Sequence, residues 1–358
     1  MKTKIKIIAV AFFLVFGAVF LGIKGKTQTK VETAGEKFKN IKVLNDMPAD
    51  QMGQVMNLMA ASLNVNCKFC HVSNDADFEK DGNEHKDIAR EMIKMTFELN
   101  KNHFENRPEI SCNTCHKGHS HPQSGIDLDP ALPQPPRPQR PDKMPTVEEV
   151  LAKYETALGG KDNLGKITSR QIKAQRLEPD GKTLEEEEVW QKSDKLVVAT
   201  KYPDYLVTEG FDGKNVWKTG NLDRIELKPD ESEQIKREAQ IFANPELKTV
   251  YPKMEVRFVD RIDGREVWVV TASTADNKRE RLFFDRQTGL LVRRIAATPT
   301  VLGFFAFQVD YKDYKDFGGV KLPTQTRFAV PNISWTRKVL EVKLNPGIDD
   351  SKFKTSGK

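Results

Sequence analysis

The sequence predicts an α+β protein of several domains: a small α-helical domain, a Pro-rich linker, and a strongly curved antiparallel sheet with one or two helices. All six histidines and all four cysteines lie between residues 67 and 121, whereas all four tryptophans lie beyond residue 189. Residues 122–145 hold eight of the nineteen prolines, which favours an extended, semi-rigid spacer. The chain length of 358 residues suffices for two hydrophobic cores. The predicted segments are a leader (1–30), a helical domain (31–121), the linker (122–145) and a β-rich domain (146–358).

The first 30 residues have the pattern of an export leader. An apolar run over residues 7–23 follows Lys2, Lys4 and Lys6. Its length is at the lower limit for spanning a bilayer, so a cleaved signal peptide and a retained N-terminal membrane anchor both stay open. In either case the rest of the chain is expected in the periplasm or on the outer face of the inner membrane. The leader's lysines account for the net charge of +6, so the remaining surface is balanced and gives no case for nucleic acid as a partner.

Two amphipathic helices are predicted in the helical domain, and they form a repeat. The first opens at Pro48–Met52, and the second runs over about residues 84–102. The repeated positions are Met56, Met59, Leu63 and Asn64 in the first helix and Met92, Met95, Leu99 and Asn100 in the second. Each copy leads into a Cys-x-x-Cys-His motif, whose first cysteine follows the repeated asparagine by three residues in the first case and by twelve in the second. A duplicated helix-plus-motif unit with one insertion accounts for this pattern.

The β-rich domain starts with a predicted helix over residues 147–158. Short β-branched and aromatic runs follow, separated by turn pairs such as Asp180-Gly181, Asp212-Gly213, Asp263-Gly264 and Thr288-Gly289. We predict nine to eleven antiparallel strands in meander order, interrupted by one helical segment over residues 230–244. The clearest strand candidates are 184–192, 195–202, 255–260, 267–271, 279–284, 290–296 and 304–311.

Two copies of Cys-x-x-Cys-His use every cysteine of the chain. They comprise Cys67, Cys70 and His71 in the first copy and Cys112, Cys115 and His116 in the second. This pentapeptide is the attachment signature of c-type haem, in which two thiols bind the porphyrin and the histidine ligates the iron. The motifs therefore predict two covalently bound haem c groups. The alternatives are a Cys₄ zinc site, which would leave both histidines without a role, and a redox dithiol, which would need only one cysteine pair.

Each iron also needs a sixth ligand or an open site. A thioether sulfur favours ferrous iron and suits electron transfer, and methionines cluster beside both motifs. Helical spacing leaves open whether Met56 or Met59, and Met92 or Met95, would ligate, because methionine in such positions also serves as core filler. His103 is a weaker candidate ligand.

The stretches 56–71, 89–96 and 112–118 resemble the photosynthetic reaction-centre cytochrome c subunit family, and the similarity spans about residues 38–121. The resemblance implies that Met56 ligates the haem on the first motif and Met92 the haem on the second. Family members that serve photosystems carry four haems, whereas this chain has only the first pair of motifs and is similar to shorter dihaem relatives. Residues 146–350 more loosely resemble the half-barrel of periplasmic lipoprotein-sorting carriers, so the sheet is expected to form a β half-barrel.

The predicted function is that of an extracytoplasmic dihaem cytochrome, which transfers single electrons between a redox protein donor and acceptor and has no catalytic residues of its own. One alternative is a dihaem peroxidase-like enzyme, which needs an iron with an open distal position; methionine ligands argue against it. The other is a half-barrel that binds lipid or lipoprotein, with the haems acting as a sensor.

Overall fold

The computed structural model describes residues 31–72, 77–122, 141–221, 223–243 and 247–355. The predicted leader and most of the predicted linker, residues 123–140, lie outside the described residues. Within the described ranges, none of the helices combines the length and apolar character needed to span a membrane.

The region before the linker is helical, as the sequence predicts. Its helices are α1 (Ala34–Lys37), α2 (Met52–Leu63), α3 (Glu84–His103) and α4 (Cys112–His116), with 3₁₀ turns at Ala49–Gln51 and Cys67–Phe69. Helix α2 ends because Asn64 adopts a left-handed conformation at φ +55°. Asn83 is the N-cap of α3, and its side chain accepts a hydrogen bond from the backbone N–H of His85 at 3.0 Å. The two repeated helices therefore lie where the periodicity places them.

After the linker, the described residues form one antiparallel sheet of thirteen strands. The strands are β1 (Ser169–Leu177), β2 (Thr183–Lys192), β3 (Lys195–Lys201), β4 (Leu206–Phe211), β5 (Val216–Gly220), β6 (Asp223–Arg224), β7 (Lys253–Ile262), β8 (Arg265–Ser273), β9 (Arg279–Asp285), β10 (Leu291–Thr300), β11 (Gly303–Phe317), β12 (Val320–Val330) and β13 (Ile333–Leu344). The sheet is curved and unclosed, which confirms the half-barrel architecture and the α+β class.

The strand order corrects one expectation. The predicted single meander is wrong: β6 to β1 and β13 to β7 are two meanders, joined where β1 pairs with β13 in the middle of the sheet. These two strands are distant in sequence, and no local pattern reports such pairing. The described residues also contain more strands than the nine to eleven predicted, because polar strands such as β1 and short ones such as β6 lack a clear apolar alternation.

The hairpin turns follow the sequence signals. At Asp263-Gly264, which joins β7 to β8, both residues have positive φ, +49° and +78°. This mirror-image turn matches the twist of the strands, and glycine adopts it without strain. The glycines of the other three predicted turn pairs also have positive φ.

In the part of this region that the structure describes, four α-helices accompany the sheet: α5 (Val147–Leu158), α6 (Lys161–Leu164), α7 (Pro229–Ala243) and α8 (Leu247–Val250). Thr146 and Glu149 form a reciprocal capping box at the start of α5. Helix α7 packs against strands β2 to β5 and, with α8, connects the two edge strands of the sheet. The two longer helices, α5 and α7, occupy the two segments for which the sequence predicts helices.

Buried ion pairs hold α7 on the sheet. Glu280 accepts hydrogen bonds from Arg237 at 2.9 Å, from Arg294 at 3.0 Å and from Tyr251 at 2.6 Å. Burial by itself raises the pKa of the Glu280 carboxyl, but attraction by Arg294 and Arg237 outweighs it and the net effect lowers the pKa. Arg337 makes a second network of this kind with two glutamates. Charged groups thus occupy part of the space between α7 and the sheet.

The tip of the β10–β11 hairpin packs into the helical region. Leu302 at this tip is only 2% exposed. It belongs to one apolar cluster with Ala34, Leu44, Met47, Val55 and Ile93. The helical region and the sheet therefore share core contacts, in addition to their connection through the linker.

Candidate haem sites

The first motif lies on a tight turn. Asn66 accepts a hydrogen bond from the backbone N–H of Lys68 at 3.1 Å, and the N–H of His71 donates to the carbonyl of Cys67 at 2.9 Å. Both thiols are free; Cys67 is exposed and Cys70 is half-buried. Burial raises the pKa of the Cys70 thiol. The turn thus presents two free thiols and an imidazole within five residues.

The second motif forms helix α4. Ser111 caps this helix: its backbone N–H donates a hydrogen bond to Thr114 Oγ1 at 3.0 Å, and the helix ends at Lys117, with φ +50°. Cys115 is exposed and Cys112 is half-buried. Burial is the main cause of a raised pKa of the Cys112 thiol. Both motifs therefore offer one exposed and one half-buried free thiol.

Both motif histidines have the same hydrogen-bonding arrangement. Nδ1 of His71 lies 3.1 Å from the carbonyl oxygen of Phe78, and Nδ1 of His116 lies 2.9 Å from that of His119. Because a carbonyl oxygen can only accept, Nδ1 carries the proton in each ring and Nε2 keeps its lone pair. Burial lowers the pKa of His71, although its bond to Phe78 opposes this, and the neutral ring is favoured. In each ring the contact at Nδ1 therefore leaves Nε2 as the nitrogen that could bind a metal.

The carbonyl of Phe78 is itself held in place. Lys86 donates to it at 2.8 Å and donates to the carbonyl of Lys80 at 2.8 Å. Nearby, Asp81 contacts Lys42 at 2.8 Å and Arg90 at 2.9 Å, and these two cations hold the pKa of the Asp81 carboxyl well below its usual range. The segment that orients His71 is therefore tied to α3. Sequence reasoning did not identify these positioning residues, because no motif marks them.

Helix α3 exposes apolar side chains and buries mostly polar ones, which is the reverse of an ordinary surface helix. Its apolar stripe is exposed: Ile88 by 54%, Met92 by 38%, Met95 by 42% and Leu99 by 36%. Its buried residues are mostly polar, namely Arg90, Thr96 and Asn100, together with Ile93. A water-facing helix normally shows the opposite pattern, and contiguous exposed apolar side chains mark a binding surface. The stripe is therefore a candidate binding surface for an apolar group.

The methionines of α2 have different surroundings. Met56 and Met59 are both half-buried, and both pack against the apolar cluster that contains Val55 and Leu302. Burial is similar for the two, just as it is similar for Met92 and Met95. The choice of ligand within each pair thus stays a prediction.

The repeat diverges at its last position. Asn64 ends α2, whereas Asn100 stays within α3 and is buried. The Asn100 side chain donates to the carbonyl of Ile110 at 2.8 Å and accepts from the N–H of Ile110 at 2.9 Å. This pair of bonds fixes the predicted insertion, the loop that leads into the second motif.

The two units are interlocked. Asn83 at the start of α3 donates to the carbonyl of Phe69 in the first motif at 3.0 Å, and the rings of Phe69 and His85 lie 4.1 Å apart. In return, the N–H of Gly118 after the second motif donates to the carbonyl of Ser62 near the end of α2 at 2.8 Å. Each motif thus contacts the helix of the other unit, an exchange that the sequence repeat did not indicate.

The rings of the other four histidines do not share the hydrogen-bonding arrangement of His71 and His116. His103, His119 and His121 are exposed, and His85 is half-buried against Phe69. His119 contributes its backbone carbonyl rather than its ring. Among the described residues, no three His, Cys, Asp or Glu side chains converge as a metal site would require, so the two cysteine pairs are not brought together in a Cys₄ zinc geometry.

Comparison with solved structures gives distant matches. A DUF1329 family protein from Desulfovibrio piger aligns with a TM-score of 0.42 and 13% identity, covering 59% of this chain and 98% of that one. A LolA superfamily protein from Nitrosomonas europaea aligns with a TM-score of 0.38 and 12% identity, covering 59% and 98% respectively. Likeness at this level assigns no function.

Comparison of sequences concerns the first part of the chain. Over 95 residues the chain is 33% identical to the photosynthetic reaction center cytochrome c subunit of Roseobacter denitrificans. The alignment covers 24% of this chain and 26% of that relative, so the chain spans about a quarter of the relative's length. Residues 21–135 match the model of the family described as photosynthetic reaction centre cytochrome C subunit, which confirms that this part of the chain is similar to that family.

Proposed function

We propose that the chain is an extracytoplasmic dihaem c-type cytochrome that carries single electrons between a redox protein donor and a redox protein acceptor. The observation that carries the proposal is the duplicated motif in which His71 and His116 each bond a backbone carbonyl through Nδ1 and keep Nε2 free. A bound haem would supply a reversible one-electron couple at its iron, and the chain would supply attachment, ligands and surroundings.

Attachment would use the four free thiols. Each S–H group would add across one porphyrin vinyl double bond, so that a carbon–sulfur bond forms and the hydrogen passes to the other vinyl carbon. The addition needs no oxidant and releases no leaving group. Cys67 and Cys70 would hold one haem, and Cys112 and Cys115 the other.

The axial ligands would come from within each unit. His71 and His116 would ligate the iron through Nε2, and Met56 and Met92 would supply the second ligands, as the family resemblance implies. The exposed stripe that contains Met92 and Met95 supports a haem against α3. The exchange of contacts between the units supports a short distance between the haems, which suits a short electron-transfer chain.

We infer electron transfer rather than peroxide chemistry because each unit carries its own methionine pair beside the motif, and a thioether ligand closes the distal position. Low-spin spectra for both haems, without turnover of added peroxide, are the expected result. Rapid peroxide turnover at either iron would favour the enzyme instead.

The test is a redox titration of the full chain, expressed with export and haem attachment. We expect two haems per chain, two one-electron steps, and the ferric absorbance of methionine-ligated iron. The matched control replaces Cys67 and Cys70 with serine and should retain one haem and one step. Wild-type protein without covalent haem would contradict the proposal.

A further inference from the structure

We infer that the tip of the β10–β11 hairpin, residues 300–303, is a positioning element for the haem of the second motif, and that the sheet thereby sets the redox potential of that haem. The inference rests on the proposed function. It is carried by contacts of the tip with three helices of the helical region.

The tip is internally fixed. The hydroxyl of Thr300 donates to the carbonyl of Gly303 at 2.8 Å and accepts from the N–H of Leu302 at 3.3 Å. Thr300 and Gly303 are also the last paired residues of the two strands. The turn is therefore a rigid projection of the sheet, and its apolar pair, Val301 and Leu302, is directed away from the sheet's own core clusters.

The apolar pair packs on the two helices that carry the candidate methionine ligands. Leu302 belongs to the same buried cluster as Val55 of α2 and Ile93 of α3, and Val301 packs against that cluster. Ile93 lies on the buried face of α3, whereas Met92 belongs to the exposed stripe of the same helix. The tip thus supports α3 from behind the face that fits the porphyrin.

Gly303 contacts the segment that carries the second motif. Its φ is +139°, and a Cβ added there would lie 3.3 Å from Cβ of Ser111. Ser111 directly precedes Cys112 and caps α4. One hairpin therefore touches both the helix with the candidate ligand Met92 and the helix with the attachment residues and His116.

These contacts have a consequence for the potential. A haem's potential depends on how firmly its ligands are held and on how well its surroundings exclude water. Loosening the tip would let α3 and α4 move apart and admit water, which stabilises the more highly charged ferric form. The expected direction is a lower midpoint potential.

The experiment compares redox titrations of full-length, haem-loaded variants. Leu302→Ala and Gly303→Ala should each lower the midpoint potential of one haem, with haem per chain unchanged. Leu302→Met, which keeps the apolar volume, should restore the wild-type value. The control is Ile333→Ala, which removes a 49% exposed side chain beside the tip of the neighbouring β12–β13 hairpin and should leave both potentials unchanged.

A variant chain that can attach only one haem shows which haem the hairpin tip affects. In a chain with Cys112→Ser and Cys115→Ser, only the haem of the first motif remains, and adding Gly303→Ala should not shift its potential. A shift in that background would overturn the assignment to the second motif. If Leu302→Ala prevents folding, Leu302→Val provides the milder change with the same expected direction.

The possible failures are distinguishable. Wild-type protein that lacks covalent haem contradicts the proposed function itself. Wild-type protein with two haems, together with tip variants that unfold more easily but keep both potentials and spectra, contradicts only the inference, because the tip would then serve packing alone.

Discussion

Loss of the second haem is expected to destabilise α3 selectively. The perturbation is the paired substitution Cys112→Ser and Cys115→Ser, which removes both attachment points of one haem and leaves the first motif intact. In the wild-type protein, we expect the porphyrin to cover the stripe of four apolar side chains on α3. In the variant, the stripe faces water.

The magnitude follows from the exposed fractions of those side chains. Taken together, they leave the equivalent of nearly two full apolar side chains exposed. Burying one such side chain contributes about 1.5–3 kcal/mol, so covering the stripe is worth about 3–5 kcal/mol. At about 1.4 kcal/mol per factor of ten, local opening of α3 should become roughly 100- to 4,000-fold more frequent in the variant.

Amide hydrogen exchange followed by mass spectrometry measures this opening. Peptides from α3 should exchange faster in the variant by that factor, whereas peptides from α5, which packs on the sheet, provide the internal control and should be unchanged. Equal exchange of α3 in the two proteins would refute the reasoning, because the stripe would then not be the surface that the second haem covers.

Three further predictions concern the ligands, the loop and the sheet. Met56→Ala and Met92→Ala should each lower the potential of one haem and remove its methionine–iron absorbance; if the other methionine of each pair has this effect, the register implied by the family is wrong. Asn100→Ala removes two buried hydrogen bonds to the loop before the second motif and should lower stability by about 1–3 kcal/mol in thermal unfolding, whereas Asn102→Ala on the exposed face should have little effect. Glu280→Gln should cost about 3–5 kcal/mol at neutral pH, because it leaves two arginines without their shared buried partner. Since the folded pKa of Glu280 is lowered, this stability is present above its unfolded pKa of about 4.3 and is lost as the pH falls; a gap between variant and wild type that stays constant into acid would contradict the assignment.

Local signals account for much of the fold. The Asp-Gly pairs place hairpins because glycine, and more rarely aspartate, adopts the positive φ of such turns, and the predicted helix over residues 147–158 has both a capping box and a terminal glycine. The pairing of β1 with β13 was not predictable in this way, because it joins residues 159 to 174 positions apart whose register is set by the whole sheet.

The candidate sites were likewise predictable only in part, since the motif residues follow from the sequence and their hydrogen-bond partners do not. Each Cys-x-x-Cys-His motif holds its two cysteines and its histidine within five residues, so the sequence alone identifies these candidate site residues. The acceptors that orient the two histidines do not follow a fixed spacing: Phe78 lies seven residues after His71, but His119 lies three residues after His116. One sequence feature could have predicted the contact of the hairpin tip with the helical region. The apolar pair Val301-Leu302 lies at a turn, where polar residues are usual.

The most direct test of the account is the intact mass of the denatured, exported chain. We predict the mass of the polypeptide plus two haems, with one haem lost when either cysteine pair is changed to serine. An unmodified polypeptide mass, or a haem that dissociates on denaturation, would contradict the account.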